Sequence, residues 1–442
     1  MPRNEPRAEA RAQQDYKAIV YILLYGGCDS FNMMVPHSGC ATNSTPKDMY
    51  QEYKDIRGEI ALDNNTLLQI NATTPQVCTT FGLHPELPYL KTLYDAGDAI
   101  FLANTGVLSR PVTKQDYYLT EFGLSAHNLQ QARVQSLDPL RERQSTGVLG
   151  RISDAVREKG LRIGVTSLTG TPFAVVGNPS TPTPISYLGG DAEAFNPRAS
   201  TADMTSQIKN LNNATATMSG LFSETWSQIL TSGIQQTEKL IDILGNESIA
   251  SDFPNSELGN QFKKVVRMIN ARSTLGTQRD VFYLQMGGYD NHFNMPPALA
   301  SQFSSVNEAL QFFVAELQRQ GVWDDVAVVQ TSDFGRTLNP NSNLGSDHAW
   351  GGQYFVLGGG LDGGKILGKY PDDLSLDADR VIPPRGLVIP DTPWDAVWNG
   401  VGEWFGADQD QLDTILPRRN NFDNLFSASD MFESEQGFTA EQ

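Results

Sequence analysis

A chain of 442 residues with 39% hydrophobic content is long enough to bury a large core, as one big α/β domain or two smaller ones. Its 33 basic against 51 acidic residues leave a net charge of -18, which excludes a nucleic-acid backbone or an anionic membrane as the main partner. An anionic substrate would then need a locally positive pocket, and bound cations are the simplest way for an acidic protein to make one.

Met1 to Tyr16 is charged and lacks an apolar segment of signal-peptide type, so residues 1–16 read as a flexible leader. Lys17 to Tyr25 is a nearly continuous apolar, β-branched run closed by Gly26-Gly27, the pattern of a strand buried on both faces of a mostly parallel sheet. Cys40 and Cys78 lie in polar, loop-like sequence, compatible with one disulfide or with reduced thiols; Cys28 sits in the first Gly-rich turn, and no CxxC spacing suggests a zinc finger. Pro85 to Ala96 carries apolar residues at helical spacing, and Ala99–Ala103 and Leu161–Val165 read as further strands. From about Asp191 to Thr277, Gln, Ser, Asn and Thr rise and strand signals vanish. This segment, with long amphipathic helices over Met218 to Leu244, reads as a helical insertion or cap. Strands follow at Asp280–Met286, Asp325–Thr331 and Tyr354–Leu357, with a helix over Leu299–Arg319 between the first two. Trp394, Trp398 and Trp404 mark an aromatic helix packing on the sheet, and residues 421–442 read as a mobile tail. Alternating strands and helices imply a three-layer α/β/α sandwich with a large, mostly parallel central sheet, one domain over 17–420 with its insertion at about 191–277. No stretch is long and apolar enough to span a membrane.

Three buried strands run into a glycine-associated acidic residue: Gly26-Gly27-Cys28-Asp29-Ser30, Gly287-Gly288-Tyr289-Asp290-Asn291-His292, and Ser332-Asp333-Phe334-Gly335-Arg336. In open α/β sheets ligands bind beyond the carboxyl ends of the strands, so these loops should converge. Carboxylates gathered there repel one another unless a cation sits between them. Only five histidines occur, and His292 and His348 lie in Asp-rich loops, the latter beside Asp347. Mixed carboxylate and imidazole sets suit zinc or manganese, whereas all-oxygen sites favour magnesium or calcium. Taken singly, an Asp at a Gly-rich turn is more often a turn former. The joint pattern is what points to a divalent metal.

These motifs resemble the bacterial family of unknown function numbered 1501, which is similar to the alkaline-phosphatase and sulfatase superfamily. The likeness extends to His84-Pro85, to the Ala126-His127-Asn128 region and to Trp404-Phe405-Gly406. It implies an alkaline-phosphatase-like fold in which Asp29, Asp290, His292, Asp333, Asp347 and His348 hold a divalent metal (zinc, manganese, calcium or magnesium) and Arg336 orients an anionic substrate. The chain departs from the superfamily at Phe334, where an imidazole normally follows the aspartate. The nucleophile is open between Ser30 and Ser125, and His127 between general acid, ligand and structural residue.

The implied function is metal-dependent hydrolysis of a phosphate or sulfate ester by a metal-held Ser or water, on a small anionic ester or a sulfated or phosphorylated glycan, in an extracellular or periplasmic setting. The competing reading is a non-catalytic extracellular or surface protein that keeps the fold with at most a structural metal. The Trp-rich tail could instead be carbohydrate-associated, although its spacing fits one helical face. Oligomeric state is not legible.

Overall fold

The computed structural model describes residues 16–119, 126–140, 146–180, 182–184, 206–207, 210, 240–245 and 247–434. Among them a nine-stranded sheet forms the centre. Numbered in chain order its strands are β1 (Lys17–Leu24), β2 (Ala99–Gly106), β3 (Ile163–Ser167), β4 (Thr183–Pro184), β5 (Arg279–Met286), β6 (Val326–Ser332), β7 (Gly352–Leu357), β8 (Lys365–Gly368) and β9 (Thr392–Pro393). Their spatial order is β8-β2-β7-β6-β1-β5-β3-β4, with β9 pairing to β2. Every pairing is parallel except those of β7, which runs against both β6 and β2.

The layering follows from the alternation of side chains along β1. Ala18, Val20, Ile22 and Leu24 enter one buried cluster, while Ile19, Tyr21 and Leu23 enter the other. The first face is covered by α2 (Pro88–Ala96), α5 (Glu257–Asn270) and α6 (Met295–Arg319), and the second by α4 (Val148–Glu158), α7 (Trp394–Phe405) and α8 (Gln409–Ile415). Both faces of the central strands are thus apolar, which is why they read as continuous hydrophobic runs. Helix α1 (Met49–Arg57) and α3 (His127–Ser136) lie in connections that matter for the site.

The expected α/β/α sandwich is therefore the observed one. A four-stranded antiparallel side sheet was not anticipated: Met34–Thr42, Thr45–Pro46, Leu68–Asn71 and Cys78–Leu83. Its strands are half exposed and carry Thr, Asn and Gln, so their apolar alternation is weak. Cys40 and Cys78 face each other across it in a disulfide, and Cys28 is free and buried. Of the segment expected as a helical cap, residues 218–239 lie outside the described residues, whereas α5 packs on β5 and α6 as part of a layer. Trp394 and Trp398 are fully buried, which makes them core.

One buried group at this packing carries a penalty. Asp395, in the first turn of α7, has both carboxylate oxygens buried without a hydrogen-bond partner, and burial pushes its carboxyl up to about 7. A folded value above the unfolded one means the native chain holds a proton that the unfolded chain releases. The resulting penalty grows from about pH 4 to about pH 7 and is constant above that. Asp395→Asn is expected to raise stability at pH 8 on the order of 1–3 kcal/mol and to leave pH 4 nearly unchanged, as read from denaturant melts at the two pH values.

Candidate metal centre

The register of the central strands fixes where the loops emerge. Leu24 of β1 pairs with Ser332 of β6 on one side and Met286 of β5 on the other, so three Gly- and Asp-bearing loops leave the sheet at one level. Gly26 donates its N–H to Asp333 Oδ2 (3.2 Å), and the Tyr289 N–H bonds the Tyr25 carbonyl (3.2 Å). A fourth loop folds back on the third: Gly335 and Thr337 donate to the carbonyls of Trp350 and Asp347, an antiparallel bridge that sets His348 opposite Arg336.

At this rim Asp290 Oδ1 is a hub. His292 Nε2 lies 3.0 Å from it, His348 Nε2 3.2 Å and His127 Nε2 3.5 Å. His292 Nε2 and His348 Nε2 are 2.8 Å apart. Two of the imidazoles are held from behind by carboxylates, His127 Nδ1 by Asp333 Oδ2 (2.8 Å) and His292 Nδ1 by Asp347 Oδ1 (3.0 Å). Gln131, one turn along α3, adds a bond to the same Asp333 oxygen (2.9 Å). Such a carboxylate partner on Nδ1 fixes the tautomer that turns the Nε2 lone pair inward, the arrangement found behind metal-ligating histidines.

The donor set fits a cation. Donor atoms of His127, Asp290 and His348 lie within 4.8 Å of one another, and His127 Nε2 is buried with no hydrogen-bond partner. An imidazole nitrogen left this way costs desolvation that a ligated cation would recover. Asp290 is suited to the role: burial alone would raise its carboxyl, but the hydrogen bond and charge of Arg336, helped by His348 and His292, outweigh this and hold it at about 2. Asp347 is likewise lowered, its burial outweighed by Asn341, His292 and Arg385.

The expected site residues divide into groups. Asp290, His292 and His348 lie together at the rim. Asp333 and Asp347 are close by, but their bonded oxygens face the histidines' Nδ1 atoms, so they orient imidazoles. Asp29 is fully buried, its Oδ2 accepting from Arg57 (2.7 Å) and Ser346 (2.6 Å), and it is not among the converging donors. Arg336 is also fully buried; it bonds the carbonyls of Gly26, Gly27 and Ser346 as well as Asp290, which ties three loops together and leaves it turned away from solvent. Ser30 is buried, its Oγ accepting from the Gln353 amide (2.7 Å). Ser125 lies outside the described residues.

Phe334 stands where an imidazole was missed, its ring 4.7 Å from that of His348 and 5.0 Å from that of His127. Gly27 backs this ring at φ +81°, and a Cβ there would come within 2.2 Å of it, so only glycine admits the Phe334 position. His127, delivered by the first turn of α3, supplies an imidazole from another element. Sequence reasoning missed Arg385 altogether. It sits in the turn between short strands Val381–Ile382 and Leu387–Val388, 65% exposed, with Nη1 on Asp347 Oδ2 (2.5 Å). Only its position in space connects it to the cluster.

Fold and cluster together define a three-layer α/β/α protein with a His/Asp cluster at the carboxyl edge of its sheet that is competent to hold a metal. Residues 193–388 match the family described as "Protein of unknown function (DUF1501)", which bears out the resemblance read from the motifs. No curated protein matches the chain in sequence. Similar solved structures include the lipoteichoic acid synthase LtaP from Listeria monocytogenes (7% identity, 89% of this chain and 72% of that one, TM-score 0.35). The C-terminal periplasmic domain of EptC from Escherichia coli, in complex with Zn, is similar at 8% identity (90% and 84%, TM-score 0.34). A phosphonate monoester hydrolase from Silicibacter pomeroyi is similar at 10% identity (73% and 69%, TM-score 0.33).

Proposed function

We propose that this protein is a metal-dependent hydrolase of phosphate or sulfate esters, with zinc held by His127, His292, His348 and Asp290. The observation that carries the reading is the convergence of three imidazole Nε2 atoms on Asp290 Oδ1, two of them braced by carboxylates. A nitrogen-rich set of this kind favours zinc over magnesium or calcium. A bound zinc ion would supply Lewis acidity toward an ester oxygen and lower the pKa of a coordinated water, the nucleophile preferred here because Ser30 is buried.

The chain's own residues would do the rest. Asp333 and Asp347 keep His127 and His292 in the ligating tautomer, and Arg336 holds Asp290 ionised. Arg385, with Nε and Nη2 making no bond to the described residues, is placed to donate to non-bridging oxygens of the ester. Arg385→Ala is expected to raise KM for an anionic ester about 10-fold with a smaller change in kcat, because an exposed charge contributes mainly to ground-state binding. The Cys40–Cys78 disulfide is in keeping with an oxidising compartment, extracellular or periplasmic.

The second reading, a non-catalytic protein with a structural metal, is favoured by the burial of both Ser30 and Arg336. Aryl phosphates and aryl sulfates assayed with zinc, manganese, magnesium or calcium separate the two. Turnover that needs zinc, stops with a chelator and is lost in Asp290→Asn is the expected result. One bound equivalent of zinc without turnover of either ester class would overturn the hydrolase reading.

A further inference from the structure

A cavity of about 390 Å³, a size that holds a small ligand, lies among the described residues, and no side chain of the metal centre lines it. It forms where β8 and β2 end. Gly368, the last residue of β8, pairs with Ala103, so Lys369 leaves the sheet beside Asn104, and both line the cavity. Thr42 of the side sheet, Arg380 and Asp391 line it as well. Because β2 and β6 both run against β7 between them, this is the edge of the sheet that carries the metal centre, two strand spacings (about 10 Å) from β6. Gly352, where the His348 loop enters β7, pairs with Thr105, the neighbour of Asn104.

Much of the hydrogen-bonding capacity of the lining is already spent. Arg380 gives Nη1 to the carbonyls of Val112 (3.1 Å) and Pro390 (3.3 Å) and Nη2 to Asp391 Oδ1 (2.7 Å). Gln76 donates to the carbonyls of Ile366 and Gly368 and accepts from the Tyr370 N–H. Thr42 donates its hydroxyl to the Asp372 carbonyl (3.3 Å). What remains is uneven. The Asp372 carboxylate, Asp391 Oδ2 and Lys369 Nζ make no hydrogen bond or ion pair to the described residues. Asn104 is 1% exposed and takes a left-handed φ of 43° inside a strand, the kind of departure that gathers at functional sites. Its Nδ2 is given to the Ile389 carbonyl (3.0 Å), and its Oδ1 is buried with no partner.

This set selects a ligand by charge and by donor count. Two carboxylates in one small cavity oppose a phosphate or sulfate, and Lys369 and Arg380 oppose a metal ion. The open acceptors outnumber the one open ammonium, and a hydroxyl both donates and accepts, so a ligand bearing several hydroxyls answers both kinds of group. Pro75, Pro371 and Tyr370 supply apolar lining for its C–H faces. We propose that this cavity binds a neutral sugar unit, whose hydroxyls donate to Asp372 and Asp391 and accept from Lys369. The site goes beyond the hydrolase reading and needs neither metal nor turnover.

The test uses the full chain freed of metal by a chelator and the methyl glycosides of glucose, galactose, mannose, xylose and N-acetylglucosamine, with binding read by saturation-transfer NMR. At least one glycoside is expected to bind, and to bind about tenfold more weakly or worse in Asp372→Ala and in Lys369→Met, because hydrogen bonds to charged groups are the strong ones. Neither side chain bonds the rest of the described fold, so circular dichroism should match the wild type in both variants. No binding across the panel overturns the proposal, as does binding that both variants leave unchanged. Displacement of the glycoside by equimolar inorganic phosphate or sulfate would make the cavity an anion site and overturn it too. Ester turnover without sugar binding leaves the hydrolase reading standing and sinks this one; sugar binding without turnover does the reverse.

Discussion

His348→Ala is expected to lower zinc affinity by about 100-fold or more while leaving the fold intact. His348 Nε2 touches both Asp290 and His292, so its loss removes one donor and the contact that keeps a second in place. Changing only a residue that braces a ligand typically costs 10- to 100-fold, and removal of a ligand should meet or exceed that range. Asp347→Asn, which weakens the brace on His292 Nδ1, should then fall inside it, at about 10-fold or somewhat more. Competition titration against a chromophoric chelator measures both. Equal affinities for His348→Ala and the wild type would remove His348 from the ligand set.

Asp29→Ala is the second large effect, and it is one of stability. Asp29 and Arg57 form an ion pair with both side chains fully buried, and Arg57 also donates to the carbonyls of Thr337 and Leu338 at the base of the Asp333 loop. Removing the carboxylate leaves a buried guanidinium without its counter-charge, which typically costs 3–5 kcal/mol. Chemical denaturation should show that loss, with the remaining folded protein binding zinc nearly as tightly as the wild type. A ligand role for Asp29 predicts the opposite pattern, lost zinc affinity at little cost in stability.

The fold was legible because β1, β5 and β6 are buried on both faces, and that environment leaves a continuous apolar run whatever the tertiary detail. Strand direction leaves no such trace: nothing in Gly352–Leu357 marks it as the antiparallel member of its sheet. The side sheet was hidden for another reason, since half-exposed strands rich in Thr and Asn have the composition of loops. At the site, the loops carrying Asp290, His292 and His348 declared themselves through glycines at strand ends. Their division of labour did not, because whether a carboxylate faces a cation or the Nδ1 of a neighbouring histidine depends on side-chain direction. Asp333 and Asp347 took that bracing position, and Asp29 and Arg336 became buried ties between loops. His127 entered the candidates only through the family resemblance and Arg385 not at all, because a distant helix and a distant turn carry them and only folding brings them to the cluster.

The central claim is that one cation sits among His127, Asp290, His292 and His348. Anomalous scattering at the zinc edge, from crystals of protein loaded with one equivalent of zinc, tests it most directly. A single peak within ligand distance of Asp290 Oδ1 and the imidazole Nε2 atoms is the predicted result. A peak at the Asp29 carboxylate, or none at the rim of the sheet, would contradict it.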